Sequence, residues 1–192
     1  APLPIDVARR VEEHYEVEVV QGYGMTEASP VTHISLLGQD KPGTVGPPVA
    51  DTRQKVVDLA TGEELGIGET GELLVQGPQV MAGYFNRPDA TEETLLTDAD
   101  GVWLRTGDIV TVDDDAYVTI RDRAKEMIKY KGYQIAPAEL EAVLIEHPDI
   151  ADVAVIPKDA GNGMDEIPKA FVVLRDGAEL SADEVMAYVE EK

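Results

Sequence analysis

The chain has 192 residues, 43% of them hydrophobic, with 38 acidic against 16 basic side chains and a formal charge of −22. That suits one ordinary domain or two small ones with a core, and it argues against affinity for nucleic acid or an anionic membrane, whose binding begins with positive charge. The absence of cysteine excludes disulfides, thiolate metal sites and a cysteine nucleophile. No run approaches the roughly 20 apolar residues of a membrane-spanning helix, and the opening "APLPIDVARRVEEHYE" lacks a secretory pattern, so the cytoplasm is the expected compartment. The acidic residues are spread along the chain, as on the surface of a protein from a salt-adapted organism, where concentrated salt screens self-repulsion.

In chain order, residues 4–15 space Ile5, Ala8, Val11 and Tyr15 as a helix, and "VEVV" at 17–20 reads as a strand entering a Gly-rich loop. Between about 50 and 120, the runs "RQKVVDL", "GELLVQG", "VWLRTGDIV" and "AYVTIRD" alternate with Gly- and Asp-rich turns, which predicts a β-rich region of hairpins. Gly66-Ile-Gly68-Glu-Thr-Gly71 has dinucleotide-loop spacing but enters a strand instead of a helix, so it reads as a hairpin turn. Asp113-Asp114-Asp115 lacks calcium-loop spacing and reads as a solvated hairpin tip. His14, His33 and His147 share no metal-ligand spacing; His147, before a proline at a helix end, is expected to cap carbonyls, and none is assigned to catalysis.

Beyond residue 128, "KYKGYQI" predicts a turn and strand, "PAELEAVLIEH" a helix opened by Pro137, and "ADVAVIP" and "KAFVVLR" strands. "SADEVMAYVEEK" predicts a helix opened by a Ser181/Glu184 capping box. Residue 1 is not Met and residue 192 falls inside a helical pattern, so a fragment of a longer protein is expected.

Three stretches carry chemistry. In "QGYGMTE", glycines flank Tyr23 and let a flat ring approach the backbone; Thr26 can donate to a phosphate oxygen and Glu27 can hold a phosphate-bound Mg²⁺, although a plain strand-to-loop turn accounts for the same residues. In "LRTGD", Asp108 ends a Gly turn, and one carboxylate can accept from both hydroxyls of a ribose, although Gly-Asp is also a common turn. The stretch 121–131 holds five of the sixteen basic residues, a local positive field suited to a phosphate, a carboxylate or both.

"QGYGMTE", "GELLVQGPQVMAGYFNRPDATEETL", "WLRTGD" and "IRDRAKEMIKYKGYQIAPAELE" together resemble, in order and spacing, the later core motifs of the adenylate-forming superfamily of acyl-CoA and aryl-CoA ligases, luciferases and peptide-synthetase adenylation domains. "YGMTE" departs from the "YGPTE" of peptide synthetases, and "KYKGYQ" from the "VSGHR" of acetyl-CoA synthetases. The resemblance is therefore strongest to fatty-acyl-CoA and coumarate-CoA ligases and the luciferases.

The resemblance implies an α+β fold: a distorted β subdomain of a larger α/β adenylation domain, then a small α+β C-terminal domain. Residues 1–50 would be the edge of the large domain, 51–120 the β-rich subdomain, 121–125 a hinge and 126–192 the truncated mobile domain. It implies ATP or AMP, Mg²⁺, coenzyme A and a carboxylic acid as ligands, and fatty- or aryl-acid activation in two steps through an acyl-adenylate. Gly22, Tyr23 and Gly24 would line the adenine and acyl pocket, Thr26 would meet the phosphate, Glu27 the Mg²⁺, and Asp108 and Arg123 the ribose. Lys125 would be the hinge residue, Lys129 and Gln134 would serve thioester formation, and Lys131 and Gly132 would flank the coenzyme A channel.

The family's upstream Pro-Lys-Gly phosphate loop and its C-terminal Gly-Lys motif have no counterpart here. The 192 residues alone are therefore expected to be inactive, the alternative being an adenylate-binding or regulatory module without catalysis. A homodimer through unpaired apolar strand faces, or partial disorder, is expected of the isolated chain.

Overall fold

In the computed structural model, which describes residues 3, 5–131, 133–161, 165–190 and 192 (without the side chains of Asp6 and Gln134), the chain divides into two units, Ala1–Ile120 and Arg121–Lys192. Both mix helix and antiparallel sheet, in agreement with the α+β expectation.

The first unit opens with helix α1 (Ile5–Tyr15), as the apolar spacing predicts. The expected strand at 17–20 does not form: these four residues join no ladder, and the first strand is β1, Gly22–Gly24. An apolar run becomes a strand only when another backbone completes its hydrogen bonds, and among the described residues none does so for Val17–Val20. Strand β1 pairs antiparallel with β2 (Val31–Ile34) across a 3-10 turn at Thr26–Ala28.

The main sheet is built from β3 (Arg53–Val57), β4 (Gly71–Gln76), β5 (Leu95–Asp98) and β6 (Gly101–Val112) in the order β3-β4-β6-β5, and β7 (Val118–Arg123) also pairs with β6. Helix α2 (Pro88–Thr94), with Pro88 in its first turn, precedes β5. Strand β4 is buried from Gly71 to Val75, as its apolar run Leu73–Val75 requires, and the charged Glu72 is buried with it. Leu73 and Val75 pack with Val45, Val56, Val110 and Val118 on one face, and Leu74 packs with Val57 and Trp103 on the other. The Lys55 ammonium lies 4.3 Å above the Trp103 ring and 2.6 Å from Asp98.

The two turn readings hold. Gly66–Gly71 passes through a turn into β4, with Gly68 at φ +80. Asp113–Asp115 lie at the β6–β7 connection, where Asp113 and Asp115 pair with Lys41 at 2.5 and 2.7 Å, so this tip is ion-paired as well as solvated.

The second unit contains a short hairpin, β8 (Ile128–Tyr130) and β9 (Tyr133–Ile135), then helix α3 (Pro137–Ile145), the long hairpin β10 (Ile150–Asp159) and β11 (Glu166–Leu174), and helix α4 (Ala182–Glu190). Ile128, Leu144, Ile150 and Val155 form its core. The capping box is present: Glu184 N–H donates to Ser181 Oγ at 3.3 Å, and Ser181 N–H donates to the Glu184 carboxylate at 2.8 Å. His147 departs from its expected role: its Nδ1 accepts the Asp149 N–H at 3.2 Å, so it serves a donor of the following turn instead of a helix carbonyl. An apolar groove of about 660 Å³, between Leu140 and Leu144 of α3 and Val185 and Val189 of α4, holds none of the predicted site residues.

Candidate adenylate site

Asp108 stands where β6 breaks register with its neighbour. Glu72 pairs with Ile109 and Leu74 with Arg105, so the one residue between them on β4 faces three on β6. The surplus forms a bulge, which bends a strand and re-aims its side chains. Gly107 takes φ +71, a region that penalises any Cβ. Thr106 donates its hydroxyl to the Leu73 carbonyl at 2.8 Å and accepts the Asp108 N–H at 3.1 Å. Glu72, 2% exposed, accepts from Arg105 Nη2 at 2.5 Å and Nε at 3.0 Å, and takes the Gly107 N–H at 3.2 Å.

Tyr23 reaches this bulge from β1, 85 positions away in sequence: its hydroxyl donates to Asp108 Oδ2 at 2.5 Å. Behind it, His33 is fully buried, its ring 5.7 Å from that of Tyr23. Gln54 gives its Nε2–H to the Ala116 carbonyl and turns Oε1 to His33 Nε2 at 2.8 Å, so that nitrogen carries the proton and Nδ1 accepts from the Thr32 hydroxyl at 2.9 Å. Burial pulls the His33 pKa down to about 4, against a smaller upward pull from the Gln54 hydrogen bond.

The two glycines of "GYG" have different reasons. A Cβ on Gly24 would lie 1.8 Å from the Pro30 carbonyl oxygen, so the fold itself demands glycine there. A Cβ on Gly22 would meet nothing nearer than 3.7 Å.

Thr26, exposed, opens the 3-10 turn, and Glu27 follows it. Glu27 is held twice: its carbonyl accepts the Met81 N–H at 2.8 Å, and its Oε1 accepts the Tyr84 hydroxyl at 2.6 Å. That bond raises the Tyr84 phenol pKa. A carboxylate beside an exposed hydroxyl is a hard oxygen set suited to Mg²⁺, which binds through one or two carboxylates plus substrate phosphates and keeps several waters. No cluster of three metal-ligating side chains occurs among the described residues.

The second unit carries the remaining predicted residues. Arg123 is exposed at the end of β7, and Lys125 lies in the turn that follows. Lys129 pairs across the short hairpin with Gln134, and Lys131 occupies its turn at φ +48; Gly132 lies outside the described residues, as does the side chain of Gln134. Glu166 accepts the Lys129 N–H at 2.9 Å and Asp165 the Lys131 N–H at 3.0 Å. The positive stretch is thus tied down by carboxylates from the start of β11. Lys131 is also pushed toward its charged form, first by Tyr130 and then by Asp165.

The structure therefore brings Tyr23 and Asp108 into contact, sets Thr26 and Glu27 on the turn after Tyr23, and gathers Lys129, Lys131 and Gln134 on one hairpin. Asp108 and Arg123, expected to share a ribose, belong to different units.

The profile of the AMP-binding enzyme family matches residues 1–85, and that of the AMP-binding enzyme C-terminal domain matches residues 139–192. The chain belongs to the AMP-binding, adenylate-forming enzyme family. It is 46% identical to luciferin 4-monooxygenase of Photinus pyralis over 192 residues (98% of this chain, 34% of the relative) and 49% identical to 4-coumarate–CoA ligase 1 of Oryza sativa subsp. japonica over 174 residues (88% and 30%). Its fold matches ATP-bound MatB of Rhodopseudomonas palustris with a TM-score of 0.89 at 30% identity, covering 100% of this chain and 37% of that one. The chain thus spans about a third of the length of the AMP-binding enzymes it matches.

Sequence reasoning missed several residues of this AMP-binding fold. Glu72 and Arg105 brace the Asp108 bulge, Tyr84 holds Glu27, and the buried His33 backs Tyr23. Asp122, also missed, accepts the Ala138 N–H at 3.2 Å and so caps α3. Glu72 alone left a signal, a carboxylate at the head of the apolar run "GELLV".

Proposed function

We propose that the chain is part of an ATP-dependent acid–thiol ligase, of the fatty-acid or aryl-acid CoA ligase type, that makes an acyl-adenylate and then a coenzyme A thioester. The observation that carries this reading is the contact between Tyr23 and Asp108, which joins two separate motifs of an AMP-binding enzyme into one polar edge. There the Asp108 carboxylate accepts from ribose hydroxyls, while the ring of Tyr23 and the open backbone at Gly22 flank the adenine and acyl groups. Thr26 donates to an α-phosphate oxygen as the substrate carboxylate attacks phosphorus and pyrophosphate leaves. Mg²⁺, when bound, neutralises phosphate charge, and Glu27, oriented by Tyr84, is the residue to hold it.

In the second step the coenzyme A thiol attacks the acyl carbonyl and AMP leaves. Lys129, Lys131 and Gln134 on the short hairpin, with Arg123 nearby in sequence, face anionic groups of adenylate and coenzyme A. Fixed cations of this kind stabilise developing negative charge without reorganisation. The division of the chain after Ile120 supports a hinge at 121–125 centred on Lys125, with 1–120 belonging to the adenylation domain and 126–192 to the mobile domain. A cytoplasmic, salt-adapted setting fits the acidic surface, and no described helix is long and apolar enough to cross a membrane.

The test is photolabelling with 8-azido-AMP, followed by peptide mapping, together with ATP–pyrophosphate exchange. Labelling should fall on the segment containing Gly22–Glu27 and be competed by AMP, while the 192 residues show no exchange. Labelling confined to other segments contradicts the site, and measurable exchange contradicts the expectation of inactivity.

A further inference from the structure

Among the described residues, the hydrogen bonds of the Glu72 carboxylate run to the Asp108 bulge. Glu72 is 2% exposed, on a strand whose neighbours Leu73, Leu74 and Val75 are core residues. Burying a charge there costs free energy that an aliphatic side chain would not incur, so sheet stability alone does not account for it. Its oxygens take Arg105, at the near end of the bulge, and the N–H of Gly107, in the middle of it. A second staple, the Thr106 hydroxyl between the Leu73 carbonyl and the Asp108 N–H, holds the two residues on either side of Gly107. Gly107, at φ +71, is a conformationally permissive residue in the middle of the strand, and the bond from its N–H to Glu72 restrains it.

We propose that Glu72, with Arg105 as its counter-ion, is a positioning residue that sets the direction of the Asp108 carboxylate toward the vicinal hydroxyls of a ribose. Its contribution is therefore specific to ligands that carry those hydroxyls. This rests on the reading of Asp108 as the ribose-binding group. A group that fixes geometry through a bulge acts on hydrogen bonds that tolerate only small misalignment, and it leaves adenine stacking and phosphate contacts unchanged.

The experiment compares dissociation constants for AMP and 2′,3′-dideoxy-AMP by calorimetry, for the unsubstituted chain, Glu72→Gln, Arg105→Lys and Asp108→Ala. Glu72→Gln keeps size and an acceptor but loses the charge; Arg105→Lys keeps the charge but loses the two-pronged geometry, and serves if the first variant folds poorly. The unsubstituted chain should prefer AMP about tenfold or more, the scale of hydrogen bonds to a charged group. Asp108→Ala should erase the preference. Both bulge variants should reduce it to roughly threefold or less with the dideoxy affinity unchanged.

A merely structural role would lower both affinities by the same factor, and that result, or a full preference retained in folded Glu72→Gln, overturns the proposal. A preference that survives Asp108→Ala, or is absent from the unsubstituted chain, overturns the ribose reading beneath it.

Discussion

Replacing Arg105 with alanine is expected to cost about 3 kcal/mol of stability at pH 7. The pair it breaks is lopsided: the Arg105 side chain is 40% exposed and that of Glu72 is 3% exposed. Removing the arginine strands a carboxylate inside the sheet with the Gly107 N–H for company, and breaking a buried pair from one side costs about 3–5 kcal/mol. The lower end applies because the site opens toward solvent on the arginine side. Urea titrations of both proteins at pH 7 check this. A deficit below about 1 kcal/mol contradicts the buried-pair account.

The second large effect belongs to His33. In the folded chain burial holds its pKa at about 4, whereas in the unfolded chain it is about 6.5. Between those values the unfolded state binds more protons, so stability falls as the pH drops from about 6.5 to about 4, by up to about 3 kcal/mol. Above pH 6.5 both states are neutral at this residue and the dependence vanishes. His33→Gln retains an amide that can bond to Gln54 but cannot take up a proton. The acid-side slope of its stability should therefore be shallower over that window. Parallel slopes for the two proteins between pH 6.5 and 4 would show that His33 is not the titrating group.

The strands of the main sheet were legible wherever a continuous or alternating apolar run was bounded by glycine, as in Gly71–Gln76 and Gly101–Val112, and helix α4 was legible from its capping box. Val17–Val20 was misread because a strand is a property of two backbones, and its own residues do not reveal whether a partner exists. Helix α2 was overlooked because Pro88–Thr94 carries no apolar periodicity; only Pro88 at its start marks it.

The site follows the same division. Tyr23, Glu27 and Asp108 belong to motifs whose chemistry can be read locally, but the groups that aim them come from remote segments. Tyr84 is 57 residues from Glu27 and Glu72 is 33 residues from Arg105, so neither pairing leaves a local pattern. Gly24 has a reason its own motif does not display: the Pro30 carbonyl occupies the space where its Cβ would be.

The central claim is that the edge formed by Tyr23 and Asp108 recognises an adenylate. Calorimetric titration of a non-hydrolysable acyl-adenylate into the chain in molar KCl, alongside Asp108→Ala, tests it most directly. Binding weakened about tenfold or more by the substitution is the predicted result. Equal affinity of the two proteins, or no binding to the unsubstituted chain, would contradict it.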